Sequence, residues 1–393
     1  MRQLDTRWWR LLRNVRSDTL HSGWCCPVRS EYPVQRRPPG QWHALHTSRW
    51  VRLLRSQVLA SSAARLVLCH LRSMRDRNMR TSAGLLLVTV IACSGKVTEL
   101  PLARPSCASG APGAGMNCGV DGKTDCCASA AIPGGSFGRL NQSKWPATLS
   151  PFRLDVFEVT VGRYRAFAEA YPSSRPKVGD GAHPRIVGSG WKAEWTELLP
   201  KTREELVGFL KCKAGDTTCK DEFTTWTDTP GAKEKMPASR VSWLEAFAFC
   251  AWDGGRLPTD AEWNYVAVGG DEQRKYPWGS LPADPSRAVL KFTPTGSQTE
   301  VGSAPAGVAR WGVLDLAGSR IEFVRDTTGA DRPDGPLPLP CIDCIRSDGE
   351  KLFLTRDASW SVPGANANVG EWYPASGGAR ERIADFGIRC ARD

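Results

Sequence analysis

Ten cysteines offer the chemistry this sequence could most readily perform: Cys107, Cys118, Cys126, Cys127, Cys212, Cys219, Cys250, Cys341, Cys344 and Cys390. Cysteine sulfur forms disulfides, binds soft metals or attacks electrophiles, and spacing and compartment decide among these. Cys341-Ile342-Asp343-Cys344 has the spacing of half a zinc site or of a redox pair. Structural zinc wants four ligands, and His183, the one histidine beyond residue 70, stands far away in sequence. A redox CxxC commonly opens a helix after a strand, whereas Pro336, Pro338 and Pro340 precede this one and proline disfavours a helix. An even set of ten reads as disulfides, with Cys212, Cys219, Cys341 and Cys344 among its members and the connectivity open. The sequence has no phosphate-cradling glycine loop and no HExxH pair.

Disulfides call for export, and an export signal lies inside the chain. Met79 and Arg80 precede an apolar run, residues 83–92, that ends in Val90-Ile91-Ala92-Cys93. A positive start, a short apolar stretch and a small residue before the cut describe a secretory signal. At about ten residues the run is too short to span a bilayer, which takes roughly 20. Its end resembles a bacterial lipobox, in which the Cys93 thiol receives diacylglycerol; a short core helix with a chance cysteine is the alternative. Two acyl chains suffice for stable anchoring. The expected product is an exported, membrane-anchored bacterial lipoprotein of the outer membrane or cell surface.

Charge agrees with a start at Met79. The formal net charge is +11, and residues 1–78 hold all of it, with 15 Arg, no Lys and four acids. The remaining 37 basic and 37 acidic residues cancel, so no nucleic-acid partner is expected. Residues 1–78 show neither helical period nor strand alternation. They read as a mis-started upstream segment, against a disordered extension or a binding arm. Over the whole chain the composition suits a core, with 41% hydrophobic residues, while a mean hydropathy of −0.34 excludes a polytopic membrane protein.

The elements that must position the cysteines follow from pattern. Residues 79–93 form the signal, 94–130 a Gly-, Ala- and Cys-rich tether with a small cystine knot, and 131–393 an α+β domain with much irregular chain. Alternation over 152–161 predicts a strand. A helix follows, with Thr160 as N-cap and Val161, Tyr164, Phe167, Ala168 and Tyr171 on one face. Ser242 with Glu245, and Thr259 with Glu262, are capping boxes, in which hydroxyl and carboxylate satisfy each other's orphan backbone N–H groups. The helices they open bury Trp243, Phe247 and Cys250, and Trp263 and Val266. Strand-like runs are expected at 310–316, 321–325 and 352–355.

"AFAFCAWDGGRLPTDAEWNYVAVGG" (246–270) followed by "YPWG" (276–279) resembles the signature of the formylglycine-generating, or sulfatase-modifying-factor, family. "IPGGSF" (132–137), "LDVFEVTVGRYRAF" (154–167), "LDLAG" (314–318) and "FGIRCARD" (386–393) fall in the family's order, over about two thirds of the chain. The resemblance implies an elaborated C-type-lectin-like fold and a disulfide between Cys250 and Cys390. It also implies a reaction, oxidation of a sulfatase-peptide cysteine to formylglycine by O₂, with copper(I) held by two thiolates.

Here the sequence departs from the pattern. By position the two thiols fall near Val362 and Ala367, and neither is cysteine. Asp357-Ala358 replaces the glycine pair before Ser359-Trp360, and the family's "GNVWEW" reads "GSRIEF" at 318–323. The expectation is a non-catalytic domain without copper. The alternative is a formylglycine-generating oxidase with unfamiliar ligands. The family's iron-dependent sulfoxide-forming branch needs several histidines, which His183 alone does not supply. A family calcium site maps by position onto Ala317, Gly318, Arg320 and Glu322, calcium being a hard ion that prefers oxygen. Loops on a lectin-like frame commonly carry its function. The stretch 364–382, with Trp372 and Tyr373 and with Trp360 beside it, is expected to contact a peptide, protein or glycan at the cell envelope.

Overall fold

The computed structural model describes residues 104–212, 223–292, 297–329, 337–363 and 378–393, together with the backbone of 372–373. Cys93, Cys219 and Ala367 lie outside the described residues. Among the described residues no helix is long and apolar enough to cross a membrane.

Short strands alternate with long irregular connections. In chain order the strands are β1 (Asn117–Cys118), β2 (Thr124–Asp125), β3 (Ser129–Ile132), β4 (Gly135–Gly138), β5 (Pro146–Leu149) and β6 (Phe152–Asp155). Five helices follow: α1 (Val161–Glu169), α2 (Ala193–Thr196), α3 (Arg203–Phe209), α4 (Trp243–Trp252) and α5 (Asp260–Ala267). The chain ends with β7 (Ile321–Thr328), β8 (Cys341–Ile342), β9 (Leu352–Arg356), β10 (Trp372–Tyr373), β11 (Phe386–Gly387) and β12 (Ala391–Arg392). They make a four-stranded sheet β10-β9-β7-β11, two three-stranded sheets β12-β6-β3 and β4-β5-β8, and the hairpin β1-β2. Pairing is antiparallel except for β11 with β7 and β5 with β8.

Local sequence explains the helices. Thr160 caps α1 by accepting from Arg163 N. Both expected capping boxes are formed, Ser242 with Glu245 on α4 and Thr259 with Glu262 on α5. Helices this short are marginal alone and persist by burying a face. Tyr164 and Phe167 of α1 pack with Trp243, Phe247 and Phe249 of α4 in the first core cluster. Trp195 meets Trp243 edge to face at 5.1 Å, which favours the rings' quadrupoles. Trp263 and Val266 of α5 fill a second cluster with Leu154, Val324 and Leu354.

Three expectations need correction. The strand over 152–161 ends at Asp155. Beyond it, Val156 N donates to Ala128 O and Val159 N to Ile388 O, so partners on two segments replace a ladder. The run 310–316 forms no strand, since Leu314 N reaches Val156 O while Asp315 turns inward. The tether expected through 130 is folded from residue 104 onward. It has no core of its own, but Cys118–Cys126 and Cys107–Cys127 close it into two loops, and Cys118 and Cys126 pack on Phe157 and Val301. Ser106 is buried, its N–H donating to Asp253 and its hydroxyl accepting from Arg163.

Cys250 and Cys390 are bridged with Cα atoms 5.4 Å apart, joining α4 to the segment just before β12 across 140 residues.

Candidate functional site

The stretch 315–322, a turn that runs into the start of β7, and the segment 357–363, which follows β9, meet β11 and the C-terminal strand inside the domain. Gly318 carries φ +91°, and a Cβ there would lie 2.2 Å from Val289 O, so glycine alone permits the approach. Gly318 N donates to Asp357 Oδ2 at 2.7 Å, and Trp360 N donates to Ser319 O at 3.1 Å. These bonds clasp turn and segment together.

Glu322 sits at the centre and is fully buried. Arg389 grips both of its oxygens at 2.7–3.0 Å, and Trp263 Nε1 donates to Oε2 at 2.7 Å. Burial works against the Arg389 charge, but the charge and hydrogen bond of Glu322, with the charges of Glu158 and Asp315, together offset it and the guanidinium pKa rises. Three further acids crowd the same interior without such a partner. Burial, then the charges of Asp315 and Glu322, push the Glu158 carboxyl well above the usual range. Burial likewise raises Asp357 well above it, and Asp315 to about 6. Glu158 Oε2 accepts from Ser319 Oγ at 2.6 Å and Asp315 Oδ2 from Gly302 N at 2.6 Å. Their other oxygens, Glu158 Oε1 and Asp315 Oδ1, are buried without a hydrogen-bond partner.

Next to this pocket of acids lies a chain of hydroxyls. Ser359 Oγ and Ser361 Oγ are 2.8 Å apart, and Ser361 Oγ donates to Asp385 Oδ2 at 2.7 Å. Arg320 is buried and bonds Ala384 O and Gln298, and burial lowers its pKa to about 10. Val362 follows, partly buried against the second core cluster, with its N–H donating to Ser359 O and its carbonyl accepting from Lys291 N.

A family model described as the sulfatase-modifying factor enzyme 1-like domain matches residues 119–393. The chain belongs to this family. The formylglycine-generating enzyme of Thermomonospora curvata is 28% identical over 54% of this chain and 76% of its own length. The inactive C-alpha-formylglycine-generating enzyme 2 of Mus musculus is 27% identical over 62% of this chain and 76% of its own. Among solved structures, PvdO from Pseudomonas aeruginosa covers 67% of this chain and 94% of its own at 21% identity and a TM-score of 0.45. As a member of the family that the model over residues 119–393 defines, the domain has the irregular, disulfide-bonded C-type-lectin-like fold of sulfatase-modifying factors.

The family identity gives each expected site residue a place. Val362, near one family thiol position, presents only methyl groups, and Ala367, near the other, lies outside the described residues. Of the four expected calcium residues, Ala317 and Arg320 are buried and Gly318 makes the tight turn. Glu322, expected as the side-chain ligand, needs correction, because Arg389 and Trp263 already bond its oxygens. The free oxygens belong to Asp315 and Glu158, which sequence reasoning passed over although both stand in quoted motifs. Trp360 also needs correction as a binding-loop residue. It is 6% exposed and packs on Phe223 at a centroid distance of 5.2 Å. Trp372 and Tyr373 form the edge strand β10, paired with Arg356 and Thr355. Cys212 is disulfide-bonded, and Cys341 is bridged to Cys344. His183 is buried 3.5 Å from Glu262 and accepts from Arg185 N, a core role.

Asp315 gives a pH test. Its folded pKa of about 6 exceeds the unfolded carboxylate value of about 3.9. Between those values the folded state holds a proton that the unfolded state has released. This contribution to stability is complete below about pH 4 and lost as pH rises through 6. In chelator-treated protein, Asp315→Asn should be more stable than the wild type at pH 7.5 and show a shallower fall in melting temperature from pH 4 to 6.5. Equal slopes in the two proteins would contradict the assignment.

Proposed function

We propose that this domain is a non-catalytic member of its family, carried on an exported, lipid-anchored chain and used to bind a peptide, protein or glycan at the cell envelope. The observation that carries the reading is the apolar Val362 in place of a thiol, with Ala367 in the sequence near the second position. Copper(I) prefers soft sulfur donors. The side chains here are the hydroxyls of Ser359 and Ser361 and the carboxylate of Asp385, all hard oxygen. The four disulfides seen among the described residues suit an oxidising compartment, in keeping with acylation at Cys93. Trp372 and Tyr373, on an edge strand, are the aromatic residues assigned to ligand contact.

The experiment isolates the protein from the membranes of a lipoprotein-processing bacterium and supplies a sulfatase-type Cys-x-Pro-x-Arg peptide, aerobically and with copper(I). Cys93 should be recovered acylated and the peptide unchanged, and any peptide retention should weaken in Trp372→Ala without a change in melting temperature. Aldehyde formed above a copper-only control would overturn the non-catalytic reading. Recovery of soluble protein with a free Cys93 would overturn the anchor.

Calcium belongs to the same proposal. The orphaned oxygens of Asp315 and Glu158 are hard donors buried beside the turn, and they suit a hard cation. Among the described residues no group of three or more His, Cys, Asp or Glu side chains is placed to hold a metal. Backbone carbonyls at Ala317, Gly318 and Arg320 would have to complete the shell. Bound there, calcium would neutralise the buried acids and stiffen the turn. Millimolar calcium should raise the wild-type melting temperature by several degrees and leave Asp315→Asn unmoved. An equal shift in both would contradict the site.

A further inference from the structure

Arg139, just after β4, is 1% exposed, yet among the described residues it makes no ion pair. Several buried arginines elsewhere in the domain hold carboxylates, as Arg163 holds Asp155 and Asp253, Arg356 holds Asp260, and Arg389 holds Glu322, whereas Arg320 and Arg325, like Arg139, bond carbonyl or amide oxygens. The Arg139 guanidinium instead donates to Pro338 O at 2.7 Å and Trp145 O at 3.4 Å, and its Nη1 lies 3.6 Å from Cys344 Sγ. Burial accordingly lowers its pKa. The groups the guanidinium bonds are thus carbonyls and a sulfur, with the Asp260 and Asp326 carboxylates acting on it only from beyond ion-pair distance, so a sulfur that becomes an anion here gains a cationic partner.

Cys344 is bonded to Cys341, and the two differ in access. Cys341 is 3% exposed, whereas Cys344 is half-buried. Cys344 also lines an open cavity of about 500 Å³, together with Arg185, Lys192, Arg325, Asp343 and Glu350. No helix opens at this pair. Cys341 stands in the two-residue strand β8, and a backbone turn with Asp343 at φ 45° brings the sulfurs together. The proline-rich approach therefore does not decide against redox chemistry, because the nearby charge comes from Arg139 and not from a helix terminus.

We propose that Cys341–Cys344 is a thiol–disulfide exchange centre that oxidises a dithiol reaching the cavity, with Cys344 the sulfur that is attacked. A substrate thiolate attacks Cys344 Sγ, the Cys341–Cys344 bond breaks, and Cys341 leaves and takes up the proton the substrate thiol released. The second substrate thiolate then attacks the substrate sulfur of the mixed disulfide. Cys344 departs as a thiolate paired with Arg139, and the second proton goes to solvent. The substrate dithiol loses two electrons to become a disulfide, and the protein disulfide gains them. Exchange with an external disulfide restores the starting form. Thiolate stability controls the ease of such steps, and a neighbouring cation supplies it.

The test titrates purified full-length protein with dithiothreitol under native conditions, quenches with acid and maps each cysteine by differential alkylation. Cys341–Cys344 should open at reductant levels that leave Cys250–Cys390 and Cys107–Cys127 intact. In Cys341→Ser, the pH dependence of iodoacetamide labelling at Cys344 should give a midpoint about one unit below the ordinary thiol value of about 8.5, or about tenfold faster labelling at pH 7. Adding Arg139→Gln should return the midpoint to about 8.5 or above. The proposal is overturned if Cys341–Cys344 resists reduction as long as Cys250–Cys390. It is equally overturned if the Cys344 midpoint in Cys341→Ser is 8.5 or higher, a readout that stands even where the Arg139 variant does not fold.

Discussion

Arg389 and Glu322 meet where the C-terminal strand, the turn 315–322 and the end of β6 converge, and both are fully buried. Taking either charge out of water alone would cost several kcal/mol. The pair avoids that through two-pronged contact, and Arg389 spends its remaining N–H groups on the carbonyls of Asp155, Val156 and Leu314. Three stretches of chain, at 155–156, 314 and 322, are thereby fixed to one guanidinium. None of them can move without stranding a donor or a charge. Because Arg389 directly precedes Cys390, the disulfide to α4 and the ion pair restrain the same segment.

The same physics recurs wherever regular hydrogen-bond ladders are short. Arg163 and Arg392 share Asp155 and Asp253, and so hold the N-terminal loops, α1 and the last strand together. Arg256 links Glu262 of α5 to the C-terminal Asp393, and Arg382 holds Glu245, the residue that also caps α4. Fully paired networks of this kind specify one arrangement of an irregular chain. The interior departs from full pairing at Glu158, Asp315 and Asp357, three acids to which, among the described residues, no arginine donates a hydrogen bond. The frame thus keeps carboxyls that no arginine bonds beside the turn, while the neighbouring segment 357–363 carries Val362 near one family thiol position.

What the sequence could reveal depended on range. The caps of α4 and α5 were legible because a capping box is complete within four residues, and the aromatic faces of α1 and α4 follow from period alone. The fold itself came from motifs in fixed order, as did the Cys250–Cys390 bridge, which spacing alone does not select. Illegible were properties set by distant partners. Glu322 looked like a free turn carboxylate because its arginine lies 67 residues on. Trp360 resembled a surface anchor because its cover, Phe223, comes from another part of the chain. Residues 104–130 looked like a tether because their composition supports no core, and the core they use is borrowed from Phe157 and Val301. Arg139 gave no signal at all, since an arginine shows neither its burial nor its missing carboxylate in sequence.

On the proposed non-catalytic reading the frame outlasts the chemistry, and the buried pair that holds the frame makes none of its hydrogen bonds to Val362, Cys341 or Cys344. A double-mutant cycle on that pair, followed by denaturant unfolding, tests the claim most directly. Arg389→Met alone should lower stability by about 3–5 kcal/mol, the usual cost of leaving a buried carboxylate unpaired. Arg389→Met with Glu322→Met should regain a substantial part of that loss, because no charge is then stranded. A cost below about 1 kcal/mol for the single variant, or purely additive losses in the double, would show that the frame does not depend on this pair.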